Sequence, residues 1–195
     1  MPRKTRQESP TGIYHWISRG IHRKKIFHRQ EDFRYFLGLV KDLKVIYSQK
    51  IHHYCLMDNH VHMLVYSPSL ENLSLFSHFL ARKYAYYYCG QYKWIGPLFQ
   101  GRYKGIPVDD EKYLLECGRY IERNPIKAQL ALRAQDYPYS SFQEYAGDTE
   151  SGVVDPSPAY LALDDRQEVR QRMYEHYVNT DRIENTKKAR ELKLV

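Results

Sequence analysis

Two histidines separated by one residue, His60-Val61-His62, and a tyrosine and asparagine four apart, Tyr120 and Asn124, are the residues whose types and spacing suit chemistry. HVHMLVY reads as a strand, so both imidazoles leave one face while Val61 leaves the other. Side chains placed in this way can reach a single cation. Imidazole suits manganese, zinc or nickel, and magnesium can be held where oxygen ligands and waters complete its shell. Standing alone, an H-x-H pair is more often two surface histidines on a strand. Tyr120 and Asn124 fall at i, i+4 in a predicted helix, which puts a phenol and an amide on one face. If that helix lies across the sheet face carrying His60 and His62, the amide becomes a third ligand and the phenol stands beside a phosphate. A phenol of ordinary pKa, about 10, is a poor nucleophile and needs a site where a metal stabilises developing charge and aligns the phosphate. Structural readings compete: Tyr120 as a core-edge residue, and Asn124 before Pro125 as the N-cap of PIKAQLAL.

Cations surround these candidates. The loop Arg19–Lys25 contributes Arg19, Arg23 and Lys24; the segment Gln100–Gly105 contributes Arg102 and Lys104; Arg119, Arg123 and Lys127 flank the helix. Such charges are usually a solvated face, but clustered near a candidate phosphodiester site they suit contacts to nucleic acid.

The elements that must position these residues can be read from periodicity. Ile13–Ser18 alternates as a strand. From Glu31 the apolar positions Phe33, Phe36, Leu37, Val40, Leu43 and Tyr47 form one helical face. Ile51–Met57 and His60–Tyr66 form a hairpin about the Asp58-Asn59 turn. Pro68-Ser69 opens a second helix, lined by Leu73, Phe76, Leu80, Tyr84 and Tyr87 and ended by Gly90. Pro97–Val108 reads as an irregular fourth strand, and Asp109-Asp110 precede the third helix, EKYLLECGRYIERN. This order predicts an α+β, ferredoxin-like βαββαβ antiparallel sheet with helices, an extra catalytic helix and a C-terminal helical tail. The domain spans residues 13–147. Residues 1–12 read as a disordered basic arm, and 148–195 as a linker and helical tail, with one helix over 159–178 and KKARELKLV a further helix or disordered.

Composition agrees with a polyanion partner. The 195 residues carry a net charge of +7, concentrated before residue 148, where 22 Lys and Arg face 13 Asp and Glu. Of the 19 tyrosines, 16 lie in the same stretch. Tyrosines offer rings for base stacking and hydroxyls for phosphates, although any single one is more often a core residue. Cys55, Cys89 and Cys117 form no CxxC pair and read as buried free thiols in a reducing cytoplasm. No apolar run has membrane-spanning length, and MPRKTRQESPTG lacks the apolar centre of a secretory signal.

Five segments, YHWISRGIHRKKIF, HYCLMDNHVHML, FQGRYKG, YLLECGRYIERNPIKAQL and YPYSSFQEY, resemble in order and spacing the REP-associated tyrosine transposases. These belong to the one-tyrosine HUH enzymes related to the transposases of single-stranded insertion sequences. The resemblance covers residues 12–147. It implies cleavage of single-stranded DNA beside hairpins of repetitive extragenic palindromes, with Mg²⁺ or Mn²⁺ and no ATP. It implies that His60 and His62 are the HUH histidines, Asn124 the third metal ligand and Tyr120 the nucleophile, which forms a 5′-phosphotyrosine and releases a 3′-hydroxyl. The expected partner is hairpin-bearing single-stranded DNA rather than a membrane, bound in the cytoplasm by a monomer in preference to a dimer. The alternatives are a domesticated hairpin-binding protein without cleavage, a replication initiator or relaxase of the same chemistry, and an RNA-binding ferredoxin-like module. Tyr113 is the substitute nucleophile.

Overall fold

Val61, Met63 and Val65 alternate with His60, His62 and Leu64, and that alternation decides what each face of their strand must cover. The computed structural model describes residues 7–110, 113–147 and 149–180. Strands β1 (Ile13–Arg19), β2 (Lys50–Met57), β3 (His60–Tyr66) and β4 (Lys104–Pro107) pair antiparallel throughout, in the order β2-β3-β1-β4. This is the expected ferredoxin-like order. Helices α1 (Gln30–Ile46) and α2 (Leu70–Tyr92) lie on the face that presents Tyr14, Trp16, Val61, Met63 and Val65, with Phe33, Phe36, Val40, Phe76, Leu80 and Tyr84 filling the layer. Helix α3 (Leu114–Glu122) covers the opposite face. There Ile13, Cys55, Met57 and Leu64 pack against Leu114, Cys117 and Ile121.

A β-bulge between Ile51 and His53 changes the alternation of β2. Ile51, Tyr54 and Leu56 therefore face α1 and α2, while His53, Cys55 and Met57 face the α3 side. Four expectations about elements change. Helix α2 continues through Gly90 to Tyr92 and stops where Lys93 takes a left-handed conformation. The fourth strand is only Lys104–Pro107, because residues 97–103 are irregular apart from a bridge between Phe99 and Gly20. The third helix ends at Glu122, and Asn124 opens the short α4 (Asn124–Lys127). Residues 159–178 form two helices, α6 (Pro158–Leu161) and α7 (Gln167–Asn179), rather than one.

The segment with linker composition packs on the domain. Val153 is buried in the α1–α2 core, Val154 bridges to Ile51, and the Asp155 carboxylate accepts from the Ile51 amide and from Lys44. Between β2 and this segment, α5 (Phe142–Ala146) joins α6 and α7 in a third cluster built on Phe142, Tyr145, Tyr160, Tyr174 and Val178. Half of the expected N-terminal arm, residues 1–6, and the whole of KKARELKLV lie outside the described residues. Within 7–12, Ser9 and Thr11 donate to the Val108 carbonyl. Among the described residues no helix is long and apolar enough to cross a membrane.

Candidate active site

Strand register brings the two histidines together. On β3, His62 lies opposite Ile17 of β1 and Cys55 of β2, and His60 lies opposite Arg19 and Met57. Their ring centroids are 4.9 Å apart. Tyr120 arrives from α3 above the same face, its ring 6.3 Å from that of His62 and 6.0 Å from that of His15. The amphipathic pattern of α3 explains this placement: Leu114, Cys117 and Ile121 seat the helix on the sheet, and Tyr120 extends from the edge of that buried face. Lys127, one turn beyond Asn124, holds its ammonium 4.4 Å from the centroid of the Tyr120 ring. Tyr113 stands at the N-cap of α3 and packs against the cluster beneath the helix.

His15 completes the group, and sequence reasoning did not assign it. Its Nε2 lies 2.9 Å from Nδ1 of His62, and its own Nδ1 is buried without a partner. The sequence signal was its position on β1, where His15 shares a strand face with Ile13.

Burial keeps these imidazoles neutral. It brings the pKa of His15 down to about 4. Burial and then the charge of Arg19 bring His60 to about 4, against a small opposing effect of Asp58. His62 is held well below the ordinary value by burial, His15, His60 and Arg19 in that order. Neutral imidazole is the form that ligates metals. His60 can donate from Nδ1 to Asn59 Oδ1 at 2.5 Å, leaving Nε2 as the lone-pair donor. If His62 donates from Nδ1 to His15, its Nε2 is left in the same state. Partners on the far ring nitrogen are how metal-ligating histidines are oriented.

Asn124 is the first residue of α4, whose N-cap position is Arg123, so it does not cap PIKAQLAL as the sequence suggested. Pro125 has no N–H for the Ile121 carbonyl. The Asn124 amide nitrogen donates there at 3.1 Å and to the Tyr120 carbonyl at 2.9 Å. That contact joins the end of α3 to α4 and leaves Oδ1 as the atom available to a cation. Among the described residues no group of three His, Cys, Asp or Glu is arranged to hold a metal. The buried thiols do not take part: burial raises Cys55 and pushes Cys117 up to about 12, so both stay protonated.

The candidate DNA-binding cations separate into two groups. Arg19 is exposed at the end of β1 beside His60, Arg23 is exposed in the following loop, Lys24 sits 4.1 Å from the centroid of the Trp94 ring, and Lys104 is exposed on the edge strand. Arg102 lines a cavity of about 450 Å³ on the opposite sheet face with Trp16, Ser18, His78, Arg82 and Tyr103. His78 and Arg82 carried no signal in the sequence beyond their position on α2. Arg119 and Arg123, in contrast, are buried, and their guanidinium groups reach carbonyls at the end of α7.

Residues 9–124 match the family model described as "Transposase IS200 like", and the chain belongs to that family of transposases. Its fold is similar to that in "Structure of the REP associates tyrosine transposase bound to a REP hairpin", with a TM-score of 0.63 and 17% identity over 80% of this chain and 98% of that one. A comparison with curated proteins found no match.

Proposed function

We propose that this chain is a metal-dependent endonuclease and strand transferase for hairpin-bearing single-stranded DNA, of the REP-associated type, acting in the cytoplasm. The observation that carries the reading is the convergence of Tyr120 with His60 and His62 on one sheet face. A fold shared with a transposase described as bound to a REP hairpin supports the substrate class.

In this reading Tyr120 Oη attacks the phosphorus. The bond from phosphorus to Oη forms as the phenol gives up its proton, the bond to the 3′ oxygen breaks, and the departing oxygen takes up a proton to leave as a 3′-hydroxyl. Attack by a 3′-hydroxyl on the phosphotyrosine reverses each change, so no ATP is consumed. His60, His62 and Asn124 are the residues that would hold a divalent ion, Mg²⁺ or Mn²⁺, which when bound would supply Lewis-acid polarisation of the phosphate. Lys127, its ammonium over the Tyr120 ring, places a cation beside the proposed nucleophile, suited to the phosphate it attacks. Arg19 carries a cation to the edge of the histidine pair, suited to a neighbouring phosphate. The cavity of Arg82, Arg102, Tyr103 and Trp16 offers cations and rings to DNA on the far side of β1.

The test is incubation of the protein with a labelled REP-type hairpin oligonucleotide and Mn²⁺ or Mg²⁺, followed by denaturing electrophoresis. A covalent adduct is expected from the unaltered chain and none from Tyr120→Phe. An adduct that persists in the Phe variant removes Tyr120 from the role and directs attention to Tyr113. Tight hairpin binding without adduct under either metal establishes the alternative, a hairpin-binding protein that does not cut.

A further inference from the structure

The residues bracketing Tyr120 engage the C-terminal tail. Glu122 is fully buried. Its Oε1 accepts from Ser141 Oγ at 2.6 Å and lies 3.0 Å from His53 Nδ1, and its Oε2 accepts from the Tyr174 hydroxyl at 2.8 Å. His53 belongs to β2, Ser141 immediately precedes α5 and Tyr174 lies in α7. One carboxylate thus ties the helix carrying Tyr120 to three other elements. Arg119 donates to the Tyr177 and Thr180 carbonyls at 3.0 and 2.7 Å, and Arg123 donates to the Val178 carbonyl at 2.7 Å. The Tyr177 and Val178 carbonyls belong to the last turn of α7 and Thr180 caps it, where helical carbonyls lack N–H partners and carry the negative end of the dipole. Gly118 completes the contact, because a Cβ there would come within 2.5 Å of the His53 ring. No side chain at that point holds α3 away from β2.

We infer that α7 is part of the machinery that positions the nucleophile: Glu122 and Tyr174 are positioning residues that set the rotation of α3, and with it the placement of Tyr120 over His60 and His62. The inference rests on the function proposed above. A helix fixed to the sheet only through Leu114, Cys117 and Ile121 can rock about that apolar seam. Hydrogen bonds donated by Arg119 and Arg123 and accepted by Glu122 oppose such a motion, because each has its own direction and its own distance. A fully buried carboxylate that loses a partner is costly, so the network favours a single arrangement over neighbouring ones. A helix rotation that moves Tyr120 by about 1 Å is enough to cost up to about a hundredfold in rate.

The variants are Tyr174→Phe, which deletes one hydroxyl from a ring that stays packed, and Arg119→Gln, which frees the end of α7 without opening the core. Three quantities are read for each: hairpin affinity, the single-turnover rate of adduct formation at saturating hairpin, and the ¹⁹F signal of 3-fluorotyrosine placed at position 120 in metal-free protein. The expected result is a rate lowered about tenfold or more, hairpin affinity within twofold of the parent (about 0.4 kcal/mol), and a shifted or broadened ¹⁹F signal. A tail that serves stability alone leaves the rate of the folded, hairpin-bound protein and the ¹⁹F signal unchanged, and that outcome in both variants overturns the inference. An unaltered chain that binds hairpin without forming an adduct overturns the proposed function instead. In that case a ¹⁹F signal moved by the variants still supports the positioning of Tyr120 by the tail.

Discussion

His15 and His62, on neighbouring strands, share a hydrogen bond of 2.9 Å between Nε2 and Nδ1. The strand register places Leu64 opposite His15 and Ile17 opposite His62, so the two imidazoles meet diagonally across the β1–β3 pair on the face that α3 covers. Such a contact fixes the ring of His62 and selects which nitrogen remains for a ligand. Replacing His15 with Phe keeps a ring but removes the partner. Isothermal titration should then show Mn²⁺ affinity lowered about ten- to a hundredfold, with the fold retained by circular dichroism. Unchanged affinity means that His62 is oriented by packing alone.

Burial of neutral histidines makes stability depend on pH in a definite direction. His15 and His60 titrate near 4 in the folded chain, and His52 and His62 are also lowered, with burial the leading cause for each. Unfolded histidines titrate near 6.5, about two units or more above the folded values for His15 and His60, so between those values the unfolded chain binds more protons. Stability is therefore complete above pH ~6.5 and is lost as pH falls towards ~4. His15 alone accounts for roughly 3 kcal/mol across this window. Thermal melting of metal-free protein from pH 7.5 to 4.5 checks this, and a midpoint that stays level across that range contradicts it.

Gly118→Ala is expected to reverse the usual effect of its residue types. Alanine in a helix interior normally stabilises by about 1 kcal/mol relative to glycine. Here the added Cβ meets Nε2, Cε1 and Cδ2 of His53 between 2.5 and 2.8 Å, on a ring held between Tyr145 and the helix. The variant should lose roughly 1–3 kcal/mol by overpacking, read as a lower urea midpoint. A gain in stability shows that β2 and α3 can separate without cost.

Arg82 and Arg102 line one cavity with Tyr103, whereas Arg119 and Arg123 are enclosed by the tail. Alanine at Arg82 or Arg102 should weaken hairpin binding across a range of sequences and reduce the salt dependence by about one ion each. Fluorescence anisotropy against ionic strength measures both effects. Glutamine at Arg119 should leave the salt dependence as it is, and a change of about one ion there shows that this guanidinium reaches DNA.

Local pattern alone was enough to determine the element order, the ferredoxin-like topology, the pairing of His60 with His62 and the helix that carries Tyr120. Alternation along a strand and three- to four-residue spacing along a helix are properties of neighbouring residues, which a sequence states directly. Tertiary structure decided the rest. The bulge in β2 turns His53 towards Glu122, although no composition signal marks where an extra residue enters a strand. His15 reaches His62 through pairing between segments 47 residues apart. Arg119 and Arg123, which on charge alone read as contacts to DNA, donate to carbonyls at the end of α7 where that helix packs against them. The physical reason is that charge shows only what a side chain can bind. Which partner it meets is decided when distant elements bury their apolar faces together.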